Sequence, residues 1–199
     1  LGAGVLHPRA VECAKENNII LHVRSSFNPD EGTRVKEINT MEINKPVTGV
    51  AVNEDESIIS ILGIPDHPGN AGQLFTHLSS EGINVDMIIQ SVEQQENNNI
   101  SFSVHRDELS KASTLTQGFA DTIGAKSVVT DDSVAKISIV GVGMISKSGV
   151  AAKMFKTLGD ANVNIKRITT SEIKISCAIP RDDAQRALDL LHDAFELDQ

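Results

Sequence analysis

The loop Pro65-Asp66-His67-Pro68-Gly69-Asn70-Ala71 is where this sequence first offers chemistry. It runs into a segment whose apolar residues recur every three or four positions, so it opens a helix. The first amides of a helix have no intrahelical acceptor and carry a partial positive charge, which suits a carboxylate or phosphate. Backbone donors at Gly69, Asn70 and Ala71, with an acid at Asp66 three residues before the glycine, match the two ends of a free α-amino acid. A charge-assisted hydrogen bond contributes about 1.5–3 kcal/mol, so a few reach roughly micromolar to millimolar affinity. The spacing fits equally a simpler arrangement in which Asp66 caps the helix and Gly69 only turns the chain.

A second such loop, Gly143-Met144-Ile145-Ser146-Lys147-Ser148-Gly149, has Ser146 where the first has Asp66. Further along, Asp86 is matched by Lys166, and Ile89-Gln90-Ser91-Val92 by Thr169-Thr170-Ser171-Glu172. The two loops are therefore not interchangeable. If they belong to units packed side by side, a polar site could take one wall from each, Ser171 and Glu172 being otherwise an exposed strand end.

Other chemistries fail on spacing. Gly141-Val142-Gly143-Met144-Ile145-Ser146 lacks the third glycine of a dinucleotide fingerprint, and Ser146-Lys147-Ser148 lacks the glycine that precedes the lysine of a phosphate-cradling loop. The six histidines show no paired metal spacing. Asp131-Asp132 reads as a solvated turn. With a net charge of −9 and 3% aromatic residues, all phenylalanine, the chain lacks the basic patch and stacking rings of a nucleic-acid binder. No apolar run approaches the roughly 20 residues that span a bilayer. Cys13 and Cys177 match no redox or ligand pattern, which suggests a reducing cytoplasmic setting. A chain that starts at Leu1 reads as a piece of something longer.

The elements that must position these loops come from an internal repeat. Residues 59–91 align with 137–171: Gly69/Gly149, Ala71/Ala151, Phe75/Phe155, Leu78/Leu158, Asn84/Asn164 and Ser91/Ser171 each lie 80 positions apart. Before the loop the offset is 78 (Gly63/Gly141), and after Ser91 it is 75 (Arg106/Arg181). The first copy reads as a strand over Ile58–Gly63, a helix with Ala71, Leu74, Phe75 and Leu78 on one face, and a strand from Ile83 to Ile89. A polar hairpin loop over Glu93–Asn99, a strand over Ile100–Val104, a helix from Asp107 to about Ile123 and a strand at Ser127–Val129 complete it. That βαββαβ order describes a ferredoxin-like α+β unit. The second copy, 135–197, ends after its last helix, one strand short. Val47–Val52, upstream of the first copy, is the candidate for that strand, which would insert the first unit into the second. Residues 1–35 read as a helix from Pro8 and a strand at Ile19–Val23, the tail of an upstream α/β domain.

These residues carry a family resemblance. Gly2-Ala3-x-Val5-Leu6-His7-Pro8-Arg9, Val23-Arg24-Ser25-Ser26-Phe27 and Gly32-Thr33 resemble the end of the catalytic domain of bacterial aspartate kinases. Val47-Thr48-Gly49-Val50-Ala51 resembles the start of that family's regulatory region. Gly63-Ile64-Pro65-Asp66-x-Pro68-Gly69, Asn84-Val85-Asp86-Met87-Ile88-x-Gln90 and Thr170-Ser171-Glu172-Ile173 resemble its paired ACT domains. The resemblance implies a kinase tail over 1–40, one ACT domain over 56–130 and another built from 47–53 plus 134–199. It implies feedback control of a kinase that phosphorylates L-aspartate on the way to lysine, threonine and methionine, with ATP and Mg used by the parent kinase and no cofactor in this part. The implied threonine-type pocket uses Asp66, Gly69, Asn70, Ala71 and Gln90, with Asn164 and Ile165 from a facing strand. The implied lysine-type pocket uses Met144, Ser171 and Glu172 with Asp86; Lys166 stands where some lysine-only members carry an acid. The implied partners are L-threonine and/or L-lysine, a second copy in a homodimer, and the catalytic domain or subunit, with no nucleic acid and no membrane. The alternative is the ACT-type regulatory subunit of another biosynthetic enzyme such as acetolactate synthase.

Overall fold

In a computed structural model of the chain, residues 5–36, 45–93 and 97–197 are described. Gly2 and Ala3 of the aspartate-kinase-like stretch, and residues 37–40 of the expected tail, lie outside them. The described N-terminal part is α1 (Pro8–Glu16) followed by the antiparallel pair β1 (Leu21–Val23) and β2 (Thr33–Val35). His7 caps the helix by accepting from the Arg9 amide, and Pro8 occupies the first helical turn, where its missing N–H costs nothing. The second strand of this pair was not expected from the sequence.

The remainder forms two four-stranded antiparallel sheets. After β3 (Gly49–Asn53) come β4 (Glu56–Pro65), α2 (Asn70–Ser80), β5 (Val85–Glu93), β6 (Asn97–His105), α3 (Leu109–Ile123) and β7 (Ser127–Asp131). Then follow β8 (Val134–Val140), α4 (Val150–Asp160), β9 (Arg167–Thr170), β10 (Lys174–Pro180) and α5 (Ala184–Ala194). One sheet has the order β5-β6-β4-β7 and the other β3-β8-β10-β9, so the later unit takes its outer strand from upstream of the earlier one. The expected hairpin loop over Glu93–Asn99 is shorter than the polar composition suggests: Asn97, Asn98 and Asn99 are strand residues paired with β5 and, for Asn97 and Asn98, with β4. The side chains of Asn98 and Asn99 have partners in the fold, Asp66 and the Gly63 amide, so these residues do not need the solvent of a loop.

Each sheet buries one face under its own two helices. In the first unit Ile59, Ile61 and Phe102 pack against Leu74, Leu78 and Ala112. In the second Ile137, Ile139 and Cys177 pack against Met154, Leu158 and Leu191. Because strand side chains alternate, Ile58, Ser60, Lys136, Ser138, Ser176 and Ala178 point to the opposite faces. Those faces carry no helix, yet all six residues are buried. The two sheets cover each other, with β4 against β8 and β5 against β9. Ile58, Met87, Val134 and Ala178 form the apolar part of this seam. Ser60 bonds Ser101 at 2.8 Å and Ser138 bonds Ser176 at 2.7 Å, each pair within its own sheet and each the repeat counterpart of the other.

Across the seam the polar contacts gather on charged side chains, and Asn53 on β3 adds a hydrogen bond to Glu56 Oε1 at 3.1 Å. The Lys136 ammonium donates to Glu56 and to Asp86 of the first unit, with Lys136 and Glu56 side chains 9% exposed. Lys166 reaches Asp131 at 2.7 Å, which corrects the reading of Asp131 as a solvated turn residue. Arg181 adds hydrogen bonds to the Glu56 and Val134 carbonyls at 3.4 and 3.1 Å. Removing one partner of a buried pair strands the other charge, at a cost of about 3–5 kcal/mol, whereas replacing both by apolar residues is close to neutral. Lys136→Met should therefore destabilise the chain by about 3–5 kcal/mol in urea unfolding, and Lys136→Met combined with Glu56→Leu should recover most of that loss.

Candidate functional site

The Asp66 loop is shaped by a register shift in the longest strand. Between Ile61 and Ile64 the β4–β6 ladder slips, and Gly63 takes φ +66°, where a Cβ would meet the Lys126 side chain at 2.4 Å. The freed Gly63 amide donates to Asn99 Oδ1 at 2.8 Å. Pro65 and Asp66 are thereby turned out toward α2. Asp66 does not cap that helix. The helix starts at left-handed Gly69 with no side-chain cap, and Asn70 uses its amide on the Pro65 carbonyl at 2.9 Å. The helical ladder begins with Gln73 N–H donating to the Gly69 carbonyl, so the Ala71 and Gly72 amides stay outside it, facing the loop.

Asp66 is held by a residue the sequence reading passed over. Asn98, only 6% exposed, donates Nδ2 to Asp66 Oδ1 at 2.8 Å and leaves Oδ2 open to solvent. The repeat gave a signal for it: the counterpart of Asp66 is Ser146 and the counterpart of Asn98 is Ile173. The acid and its buried amide partner are present together in one unit and missing together in the other. Gln90 lies exposed on β5, opposite Ile100. Asn164 is exposed and Ile165 half-buried just before β9, where Ile165 packs on the second core. Among the described residues, no hydrogen bond, ion pair or cavity joins Asn164 or Ile165 to the Asp66 loop.

The second loop makes a different site. Two extra residues fold as a single 3-10 turn over Val142–Ile145, which presses Met144 on the core. Gly141 sits so close to Pro46 that a Cβ would meet its carbonyl oxygen at 2.3 Å, so only glycine lets the strand leave here. Helix α4 again begins at a left-handed glycine, Gly149, without a side-chain cap. A groove of about 510 Å³ lies between this helix start and the end of β9, lined among others by Met144, Lys147, Ala151, Ser171 and Glu172. Ser171 donates to the Lys174 carbonyl at 3.5 Å. Asp86 is not in that lining. Its Oδ2 is on Lys136, and half of its side chain is exposed.

The electrostatics of the two seam-side acids agree with this placement. Burial alone would raise the Asp86 and Asp131 pKa, but the hydrogen bonds from Lys136 and Lys166 overcome it and hold both below the ordinary carboxylate value. Burial would likewise lower Lys136, and its two carboxylates instead raise it. Burial pushes the Cys177 thiol up to about 12, so it behaves as a small apolar core residue. Among the described residues no group of three His, Cys, Asp or Glu is placed to hold a metal ion, and no helix is long and apolar enough to cross a membrane.

Comparison with known proteins agrees with this architecture. The ACT domain family model matches residues 59–115 and 137–195. An aspartokinase of Thermus thermophilus is 46% identical over 201 residues, covering 100% of this chain and 49% of that protein. The crystal structure of the ligand-free regulatory subunit of aspartate kinase from Thermus thermophilus superposes with a TM-score of 0.71 at 41% identity, covering 76% of this chain and 99% of that one. Aspartate kinase from Synechocystis gives a TM-score of 0.77 at 40% identity, covering 98% of this chain and 36% of that one. The chain thus spans about half the length of the curated relatives it matches.

The lowered carboxylates fix a pH dependence. A depressed folded-state pKa contributes stability that is present above the unfolded value, about 3.9, and is lost as pH falls through the folded one. The raised Lys136 contributes stability that is lost only when pH climbs above its unfolded value, about 10.4. These groups should leave the melting temperature level from about pH 5 to 9 and lower it below about pH 4, a fall that Asp131→Asn makes shallower in a calorimetric pH series.

Proposed function

The chain belongs to the aspartokinase family, as a regulatory region built of two ACT domains, and from that premise we propose that it senses free amino acids for a kinase acting on L-aspartate. The observation that carries the reading is the Asp66 loop: a carboxylate fixed by a buried amide, beside helix amides that have no acceptor in the ladder. The ammonium of L-threonine pairs with Asp66 Oδ2, its carboxylate accepts from the Gly69 and Ala71 backbone and from the Asn70 amide once that leaves the His67 carbonyl, and Gln90 bounds the site. Asn164 and Ile165 complete it from a second copy, since among the described residues of one chain no hydrogen bond or ion pair joins them to the loop. A homodimer paired through its ACT domains supplies that wall.

L-lysine is assigned to the groove of the second unit. Its side chain follows Met144, its ammonium group meets Glu172, and Ser171 donates to its carboxylate. Asp86, outside the groove lining and held by Lys136, enters this site only if the first unit moves toward the groove on binding. Binding at either place inhibits the kinase by favouring one arrangement of the units over another, an effect that rests on differential affinity. The fragment itself is non-catalytic in this reading. ATP and Mg are assigned to the catalytic half of the parent on the family resemblance, and the setting to the cytoplasm. The aspartokinase relatives favour this over the acetolactate synthase alternative.

At about a hundred times its Kd, threonine should stabilise the chain by about 2.7 kcal/mol, a rise in melting temperature of roughly 5–10 °C. Asp66→Ala should abolish the rise and Asn98→Ala should reduce it, measured by calorimetry. Equal shifts in the unaltered chain and in Asp66→Ala remove Asp66 from the site.

A further inference from the structure

The seam ion pairs have a reciprocal layout. Asp86 and Lys166 occupy the same place in the repeat, 80 residues apart, at the start of the strand along each unit's binding edge. Each crosses to the other unit: Asp86 to Lys136 on β8, and Lys166 to Asp131 at the end of β7. The charges are inverted between the two contacts. In a repeat with equal residues at 86 and 166, one of these contacts would lose its opposite charge. The seam serines satisfy one another inside their own sheets, Ser60 with Ser101 and Ser138 with Ser176, while Asn53 and Arg181 of the second unit reach Glu56 of the first, at its Oε1 and its carbonyl. Charged side chains thus take part in each of these side-chain hydrogen bonds between the units.

They also differ in depth. Lys136 and Glu56 are buried and form a fixed anchor, whereas Asp86 is half exposed, and Lys166 and Asp131 are 27% and 35% exposed. We propose that Asp86 on Lys136 and Lys166 on Asp131 are paired clamps that couple the two binding edges, the first tying β5 to the inner strand β8 and the second tying the start of β9 to the outer strand β7. A displacement of β5 or β9 by a ligand is then felt across the seam. Asp131 and Lys166 are positioning residues in this scheme and touch no ligand.

The coupling part rests on the amino-acid-sensing reading; the mechanical part does not. Hydrogen exchange on the ligand-free chain tests the mechanical part with Asp131→Asn and with the charge swap Asp131→Lys/Lys166→Asp. Asp131→Asn should speed exchange about fivefold in both Ser127–Asp131 and Arg167–Thr170, and the swap should return both to within about twofold of the unaltered chain. Unchanged exchange in Asp131→Asn overturns the clamp. Titration calorimetry of threonine with and without saturating lysine tests the coupling. The unaltered chain should show at least about a fivefold change in threonine Kd. Asp131→Asn should bring it to about onefold with each separate Kd kept, and the swap should restore it. Independent binding in the unaltered chain, or coupling retained in Asp131→Asn, overturns the proposal. Absence of heat with both amino acids instead overturns the sensing reading, and the exchange measurement still decides the clamp.

Discussion

A lysine ammonium buried between carboxylates of another unit constrains everything else in this molecule. Lys136 lies on the sheet face turned away from the helices, which it shares with Ser138, Ser176 and Ala178. Its repeat counterpart is Ile58, so the two units present unlike residues at the same place in the seam. Apolar contact is non-directional and would tolerate sliding of one sheet over the other. An ion pair taken out of water adds little net stability but tolerates few geometries, because every alternative leaves a charge unpaired. The seam register of this structure is one in which each of these charges meets its counter-charge.

The same logic acts on a smaller scale at Asp66. A bulged strand, a glycine in the left-handed region and three successive asparagines look like defects in a sheet, yet each answers the next. The Gly63 bulge frees an amide, Asn99 accepts it, and neighbouring Asn98 turns its own amide to Asp66. The second unit, without the acid and the asparagine, fills the equivalent corner with a 3-10 turn and Met144. Duplication supplied two helix starts with free amides, and divergence of a few side chains gave them different walls.

The division between what is legible in the chain and what is not follows the range of the interactions. Period, turn chemistry and repeat offsets are local or pairwise in sequence, and they carry the α+β class, the duplicated βαββαβ order and the helix starts at Gly69 and Gly149. They also expose the asymmetry at 66/146 and 86/166, which marks the loops as specialised. The polar tract Glu93–Asn99 misled because composition cannot say whether an asparagine meets water or a partner in the fold.

Partners at long range were decided by the tertiary structure alone. That Lys136 meets Glu56 and Asp86, that Asp131 holds Lys166 and that Asn98 orients Asp66 depends on which faces of two sheets come together. Alternation states that Lys136 and Ile58 point away from the helices, but not what covers them. The sequence determined two sibling units and the residues in which they differ. Their packing decided which of those differences became contacts across the seam, because a charge is tolerated inside a protein only where the fold delivers its counter-charge.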